Sequence, residues 1–484
     1  MKKLLPLSLL LLACAIAGIS TAQSRSGNVL TTFGNGDGDR FGATVSLSNN
    51  GTRIAVMAPD NGRFGTGSPQ AEVYELQGGS WVKLGNTFTD YFTSPLDEEA
   101  TITLSGGGTT VATGEPAFNT VQNLSTGRIV TSRYGTSGWA TIGDELNGIY
   151  RDAQLGKKIA LLTNGTQMMT ANFGGDENDR RGAFNRVLTT TEWITVGTQP
   201  ILQSTGEESL SGIALSEQGL VVGMGLNKGV TAPGEVQFFQ FTADWVSRGS
   251  ITGSANGDGF GESIAMGSNG NIIAIGAPYD GNGKVRVYDD RRDQIGSTID
   301  APAGDQTFGY SLDISEDGNT LAIGAPANDP TNVGMGNAYV YELVNGDWAL
   351  TYTFRGTVMG EQVGQSISIS DDGMHLAIGR PGFEAAGQSD AGQVDVYVLD
   401  GSTSTSEEAV LELQAYPNPT SAELHIEGLP QGESTIFIRD AIGRLVMTAT
   451  NVTGTVNVAG ISNGYYLLEV QSTEGVGRIP FVKK

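Results

Sequence analysis

Cysteine is almost missing: Cys14 is the only one in 484 residues. It lies inside an N-terminal apolar stretch, so no disulfide framework or thiol metal site can form downstream of it. There are only two histidines, too few for a histidine-rich metal centre. Long apolar runs are absent after the first 22 residues, so no transmembrane segment is expected once that leader is removed. Cationic side chains are in the minority, with 28 Lys+Arg against 52 Asp+Glu and a formal charge of −24. A field of that sign repels nucleic-acid phosphates and anionic membranes, so nucleic acid is not an expected partner. Amphipathic helices are lacking as well, because apolar residues alternate or run in short blocks.

Glycine is abundant. The 70 glycines are about twice the usual share, beside 38% hydrophobic residues, which points to an all-β chain of short strands and tight turns. At the N-terminus, Lys2 and Lys3 precede the apolar run from Leu4 to Ile19. Ser20-Thr21-Ala22 then offers a small-residue cleavage site, so residues 1–22 read as a signal peptide. Cleavage before Cys14 as a lipoprotein would put the poorly suited Leu12 just upstream. A mature chain without cysteine must be held together by its own core.

One stretch returns along the chain. "SLDISEDGNTLAIGAP" at 311–326 has close copies at 366–381, 263–278 and 44–59, and weaker ones between them. The turn glycines are Gly51, Gly108, Gly165, Gly219, Gly270, Gly318 and Gly373, spaced by 48 to 57 residues. Seven units of that length, each with room for four strands, predict a seven-bladed β-propeller over 23–399. All five tryptophans, Trp81, Trp139, Trp193, Trp245 and Trp348, begin the fourth strand of a unit. A fixed aromatic of that kind reads as packing between blades, although a sugar-stacking ring is the competing use. The seventh unit stops after "VDVYVLDG" without a fourth strand, and residues 28–33 are expected to supply it and close the ring.

Phe260-Gly261 with Gly276-Ala277-Pro278, and Phe308-Gly309 with Gly324-Ala325-Pro326, resemble the FG-GAP repeats of integrin α-subunit propellers and their bacterial relatives. Units one and seven fit less well, and units two to four keep only the spacing and the turn. In that family several blades carry an Asp-rich calcium loop. Here Asp313, Ser315 and Asp317 lack the closing aspartate, so a hairpin turn is expected and no cofactor, calcium included, is assigned.

After a polar linker at 400–410 the composition changes. Tyr416-Pro417-Asn418-Pro419, then Gly464 and Tyr465, then Lys483 and Lys484, resemble the type A C-terminal sorting domain of type IX secretion substrates of Bacteroidetes-type bacteria. The resemblance implies that 411–484 form a small immunoglobulin-like β-sandwich read by the secretion machinery. It also implies a secreted or outer-membrane surface location.

The loops between second and third strands should share one face, and they vary in length, as loops that carry specificity do. They hold the candidate ligand residues Asp60, Phe64, Asp176, Asp179, Tyr279, Asp280, Asp329 and Asp390. Acids with a few aromatics suit hydroxyl-rich ligands, whereas a merely solvated loop is the plainer reading. The expected function is non-catalytic recognition of an extracellular glycan or protein. A polysaccharide-active glycosidase or lyase is the alternative, which would need paired carboxylates or a base beside a nucleophile. His375 has no recognisable partner and reads as structural.

Overall fold

The computed structural model describes the backbone at 24–25 and 30–31. Beyond these it describes 37–59, 69–88, 99–120, 124–173, 182–197, 209–216, 221–242, 244–267, 270–328, 334–384 and 388–399. In the C-terminal part it describes 409–410, 413–429, 435–440, 445–449, 452, 454–472 and 475–484. Residues 1–22, expected to be a signal peptide, lie outside these residues. The chain divides into two compact units, Met1–Gly401 and Ser402–Lys484.

Alternation and tight turns make every described element of the first unit a strand. In the stretch from which the repeat was read, Ser311–Ile314, Thr320–Ala325, Asn337–Val344 and Asp347–Arg355 form one antiparallel sheet in chain order. Six further sheets follow the same plan. Blades 1 to 7 begin with the inner strands Thr44–Leu47, Thr101–Leu104, Ile159–Leu161, Ser209–Leu215, Ile264–Met266, Ser311–Ile314 and Ile367–Ile369. Each inner strand adjoins the next, and the last adjoins the first, so they ring a central channel. The described turn glycines between first and second strands, such as Gly318 (φ 71°) and Gly373 (φ 71°), are left-handed.

Second strands such as Thr320–Ala325 are buried almost throughout, because each lies between two sheets. Every gap between neighbouring blades holds its own apolar cluster. Val285 and Val287 of blade 5, for example, meet Leu321, Ile323 and Tyr339 of blade 6. Trp139 belongs to the cluster between blades 1 and 2, and Trp193 to that between blades 2 and 3. Trp139 Nε1 donates to the Leu84 carbonyl (2.6 Å), Trp193 Nε1 to Thr131 Oγ1 (2.8 Å) and Trp348 Nε1 to the Ile295 carbonyl (3.0 Å), each on the preceding blade. The tryptophans therefore staple blades together.

The ring is closed by the N-terminal segment. Leu30–Thr31 pairs antiparallel with Gln393 and Val394 of the blade 7 strand Gln393–Val398. Ser24–Arg25 pairs with Tyr397 and Val398 of the same strand, so the closing edge reaches further back than residues 28–33. The seam between blades 7 and 1 is apolar, with Val394 and Val396 against Phe41, Val56 and Trp81.

The second unit is a β-sandwich of a five-stranded and a three-stranded sheet around Leu424, Ile436, Ile438, Leu468 and Phe481. Its opening motif is clipped to its last strand. Asn418 Oδ1 accepts from the Val482 N–H (2.9 Å), and Thr420 N–H donates to the Val482 carbonyl (2.9 Å). Lys483 is buried, the Tyr416 ring lies 5.0 Å from that of His425, and Tyr465, next to Gly464, is exposed.

Candidate functional site: the central channel and its loop-face mouth

Antiparallel pairing places the start of each first strand beside the end of the second, as Ser311 beside Gly324. The loops between second and third strands leave from that end, so one mouth of the channel opens on the loop face. The channel is a cavity of about 420 Å³ lined by all seven inner strands.

The Phe-Gly and Gly-Ala-Pro pieces meet here, across the blade boundary. A Cβ on Gly324 would lie 2.1 Å from the Gly364 carbonyl of the next blade, and one on Gly276 would lie 2.2 Å from that of Gly309. Two residues beyond Gly261, Gly309 and Gly364, a hydroxyl reaches the corresponding carbonyl of the next blade. Ser263 Oγ donates to Gly309 O (2.5 Å), Ser311 Oγ to Gly364 O (2.7 Å) and Ser366 Oγ to Gly42 O (2.7 Å). Thr101 Oγ1 does the same with Gly156 O (2.7 Å). The motif is thus a backbone contact plus a hydroxyl latch.

Two positions on the inner strands or beside them carry charge into a lining made mainly of hydroxyl and aliphatic residues. Lys158 stands where the latch hydroxyl stands in other units, and water reaches it although the inner strands encircle it. Burial pushes its pKa down, Glu262 pulls it back up, and Lys157 lowers it further. Asp313 stands deeper, where blades 1 and 7 carry Ser46 and Ser368. Those hydroxyls accept from the next blade's Leu104 and Leu47 N–H groups (both 3.0 Å). Asp313 likewise accepts from Ile369 N–H (2.8 Å), and burial pushes its carboxyl up to about 6 despite that bond and one from Ile314.

At the loop-face mouth a cavity of about 510 Å³ is bounded by Lys157, Lys158, Ser211, Asn227, Glu262 and Tyr310, among others. Lys157 pairs with Glu99 (2.8 Å), and Asn227 Nδ2 donates to Glu262 (3.4 Å). The mouth residues are those that follow the Phe-Gly glycine. Their signal in the sequence was that they vary even among units 1, 5, 6 and 7, which keep the glycine and a hydroxyl two residues beyond it.

Of the eight loop candidates, Asp60, Phe64, Asp176, Asp179 and Asp329 lie outside the described residues. Tyr279 is half exposed at the mouth side, where burial and then the charge of Glu262 raise its phenol. Asp280 is already occupied. Burial alone would raise its carboxyl, but Ser254, Arg286 and Lys284 bond to it and hold it below its usual range. Asp390 is exposed in a left-handed turn (φ 49°) on blade 7, and its carbonyl accepts from Arg40 N–H. Tyr279, Asp280 and Asp390 therefore do not form one cluster.

At the opposite mouth, turns of neighbouring blades are bonded to one another. Glu316 N–H donates to Asp371 O, Asp371 N–H to Asn49 O and Asn49 N–H to Gly106 O, a collar of backbone bonds (2.8–2.9 Å). Within a turn, Asp317 accepts from Ser315 Oγ (2.7 Å) and Asn319 N–H (3.0 Å), and Asp372 from Ser370 Oγ (2.5 Å) and Met374 N–H (2.9 Å). The aspartate–glycine pair is an Asx turn. His375 packs beneath Gly51 of the neighbouring turn, and its Nδ1 has no hydrogen-bond partner among the described residues.

The FG-GAP repeat family matches residues 299–341, and the secretion system C-terminal sorting domain matches residues 414–483. No curated protein matches the chain. Among solved structures, it is similar to the β-propeller domain of Cps50 (Swd1) from Myceliophteria thermophila, at 11% identity and TM-score 0.51. That match covers 77% of this chain and 100% of the other. The C-terminal WD40 domain of Sif2 matches at 9% identity and TM-score 0.48, over 79% and 100% of the two chains. At such identities the first likeness is one of fold alone. The chain is thus an all-β propeller that carries an FG-GAP repeat over 299–341 and, over 414–483, a secretion system C-terminal sorting domain that marks it for type IX export to the cell surface or the extracellular space.

Proposed function

We propose that the propeller is a non-catalytic recognition module that binds an extracellular glycan or protein ligand on its loop face. The observation that carries this reading is the polar cavity at the loop-face mouth, where side chains that differ from blade to blade surround a channel otherwise lined mainly by hydroxyl and aliphatic residues. A rigid ring with a variable rim is how scaffolds present specificity. Among the described residues, the carboxylates nearest the channel are engaged: Asp313 by backbone N–H groups, Glu99 by Lys157 and Glu262 by Asn227. That favours binding over acid–base work.

The test is to screen the full chain on glycan and matrix-protein arrays, with polysaccharide turnover assayed in parallel. Selective, saturable binding without turnover supports the module. Polysaccharide cleavage would replace it with the glycosidase or lyase reading.

We also propose that the propeller needs no calcium, because Asp317 and Asp372 are used by their own turns. Chelation is expected to shift its melting temperature by less than about 2 °C. A fall of more than about 10 °C would reveal a tightly bound ion.

A further inference from the structure

We propose that the loop-face cavity binds a sugar bearing a single carboxylate, with the Lys158 ammonium taking that carboxylate; this rests on the recognition function above and names its ligand class. The repeat itself singles out Lys158. At the same position Thr101, Ser263, Ser311 and Ser366 each bond to the next blade's glycine carbonyl, whereas Lys158 has no hydrogen-bond or ion-pair partner among the described residues. The blade that follows is altered to match. Its first strand shifts register between Leu210 and Ile213, and Ser211 there takes over the bond to Gly261 O (2.9 Å). Where a repeat breaks its own packing rule in two adjacent units, function is the usual reason.

The charges around Lys158 are otherwise accounted for. Lys157 pairs with Glu99 and lies over the Phe173 ring, Arg151 pairs with Asp152, and Glu262 accepts from Asn227. Glu262 and Glu99 act on Lys158 through their charge but neither bonds to it directly, and a ligand carboxylate would supply the charge-assisted bond it lacks. Glu262 and Asp152 border the same space and disfavour further negative charge, which limits the ligand to one carboxylate there. The remaining lining favours hydroxyls. Ser211, Asn227, Tyr310 and Glu262 offer donors and acceptors, while the apolar liners Leu210 and Phe173 are buried. The volume, about 510 Å³, falls within the range of small-ligand sites.

The experiment is a ligand-observed NMR titration of the full chain with methyl glucuronoside, methyl glucoside and glucosamine. The wild type is expected to prefer the glucuronoside. Lys158→Ser restores the repeat's own residue, so it should fold. It should lose about tenfold to hundredfold in glucuronoside affinity, the worth of one charge-assisted bond, with glucoside unchanged. Lys158→Arg should stay within about threefold of wild type. Equal binding of both glycosides, a preference for glucosamine, an unchanged preference in Lys158→Ser, or no binding at all would each overturn the proposal. The parent reading fails separately. Array ligands retained by Lys158→Ser would leave recognition standing while sinking this pocket, whereas a silent array for the wild type would sink recognition itself.

Discussion

At the scale of single residues, the repeat motif turns out to be a contact between glycines of neighbouring blades. Gly324→Ala would place a methyl 2.1 Å from both Gly364 O and Ser311 Oγ. Overpacking against backbone should cost about 1–3 kcal/mol, read by denaturant melts, while Gly135→Ala, with nothing within 4 Å, should be neutral. Asp313 gives a pH signature. Its folded pKa, about 6, exceeds the ordinary 3.8, so the folded state holds the proton more tightly. Stability from this group is full in acid and is lost as pH rises from about 4 through about 6. Asp313→Ser keeps an acceptor for the Ile369 N–H, as Ser46 and Ser368 do for their neighbours. Its melting temperature relative to wild type should therefore rise between pH 4 and pH 7, and a gap independent of pH would refute the assignment. The glycines, the turns and the tryptophans were legible because repetition exposes them. Lys158 and Asp313 were not, because a residue that occurs once in seven units looks like drift until the channel places it beside its equivalents.

At the scale of elements, the strand plan could be read from alternation and turn glycine, and the ring seam from a unit that lacked its fourth strand. The pairing of Ser24–Arg25 was missed, since two residues carry no periodicity. The expected closing strand was 28–33 alone, and the second contact extends it to Ser24–Arg25. Removing residues 23–27 should lower the melting temperature measurably, and starting the chain at Gly36 should lower it further by uncovering Gln393–Val398. The second loss should reach a few kcal/mol, at about 1 kcal/mol for each backbone hydrogen bond with the buried apolar area added. Identical melts for both truncations and the intact chain would contradict the closure. Five of the loop candidates lie outside the described residues, and of the other three only Tyr279 feels the charge of a mouth residue, Glu262. Acid-rich loops are easy to see in a sequence, but their ion pairs, such as Asp280 with Arg286, are set by cross-strand neighbours that spacing does not reveal.

For the whole molecule, the two units have separate cores, one built between sheets around a ring and one within a sandwich. A chain ending at Gly401 is expected to melt as the propeller of the intact protein does and to remain in the periplasm, measured by calorimetry and by surface labelling of cells. Normal surface labelling of that chain would refute the role of the tail. The seam also fixes an order of events. Leu30 bonds to a strand more than 360 residues later, so the first sheet edge made must wait, open, until the seventh blade exists. The sorting tail is made only after that strand. Any copy long enough to display its export address therefore already contains every piece needed to lock the circle, and a chain that stops before the seventh blade carries neither the address nor the lock.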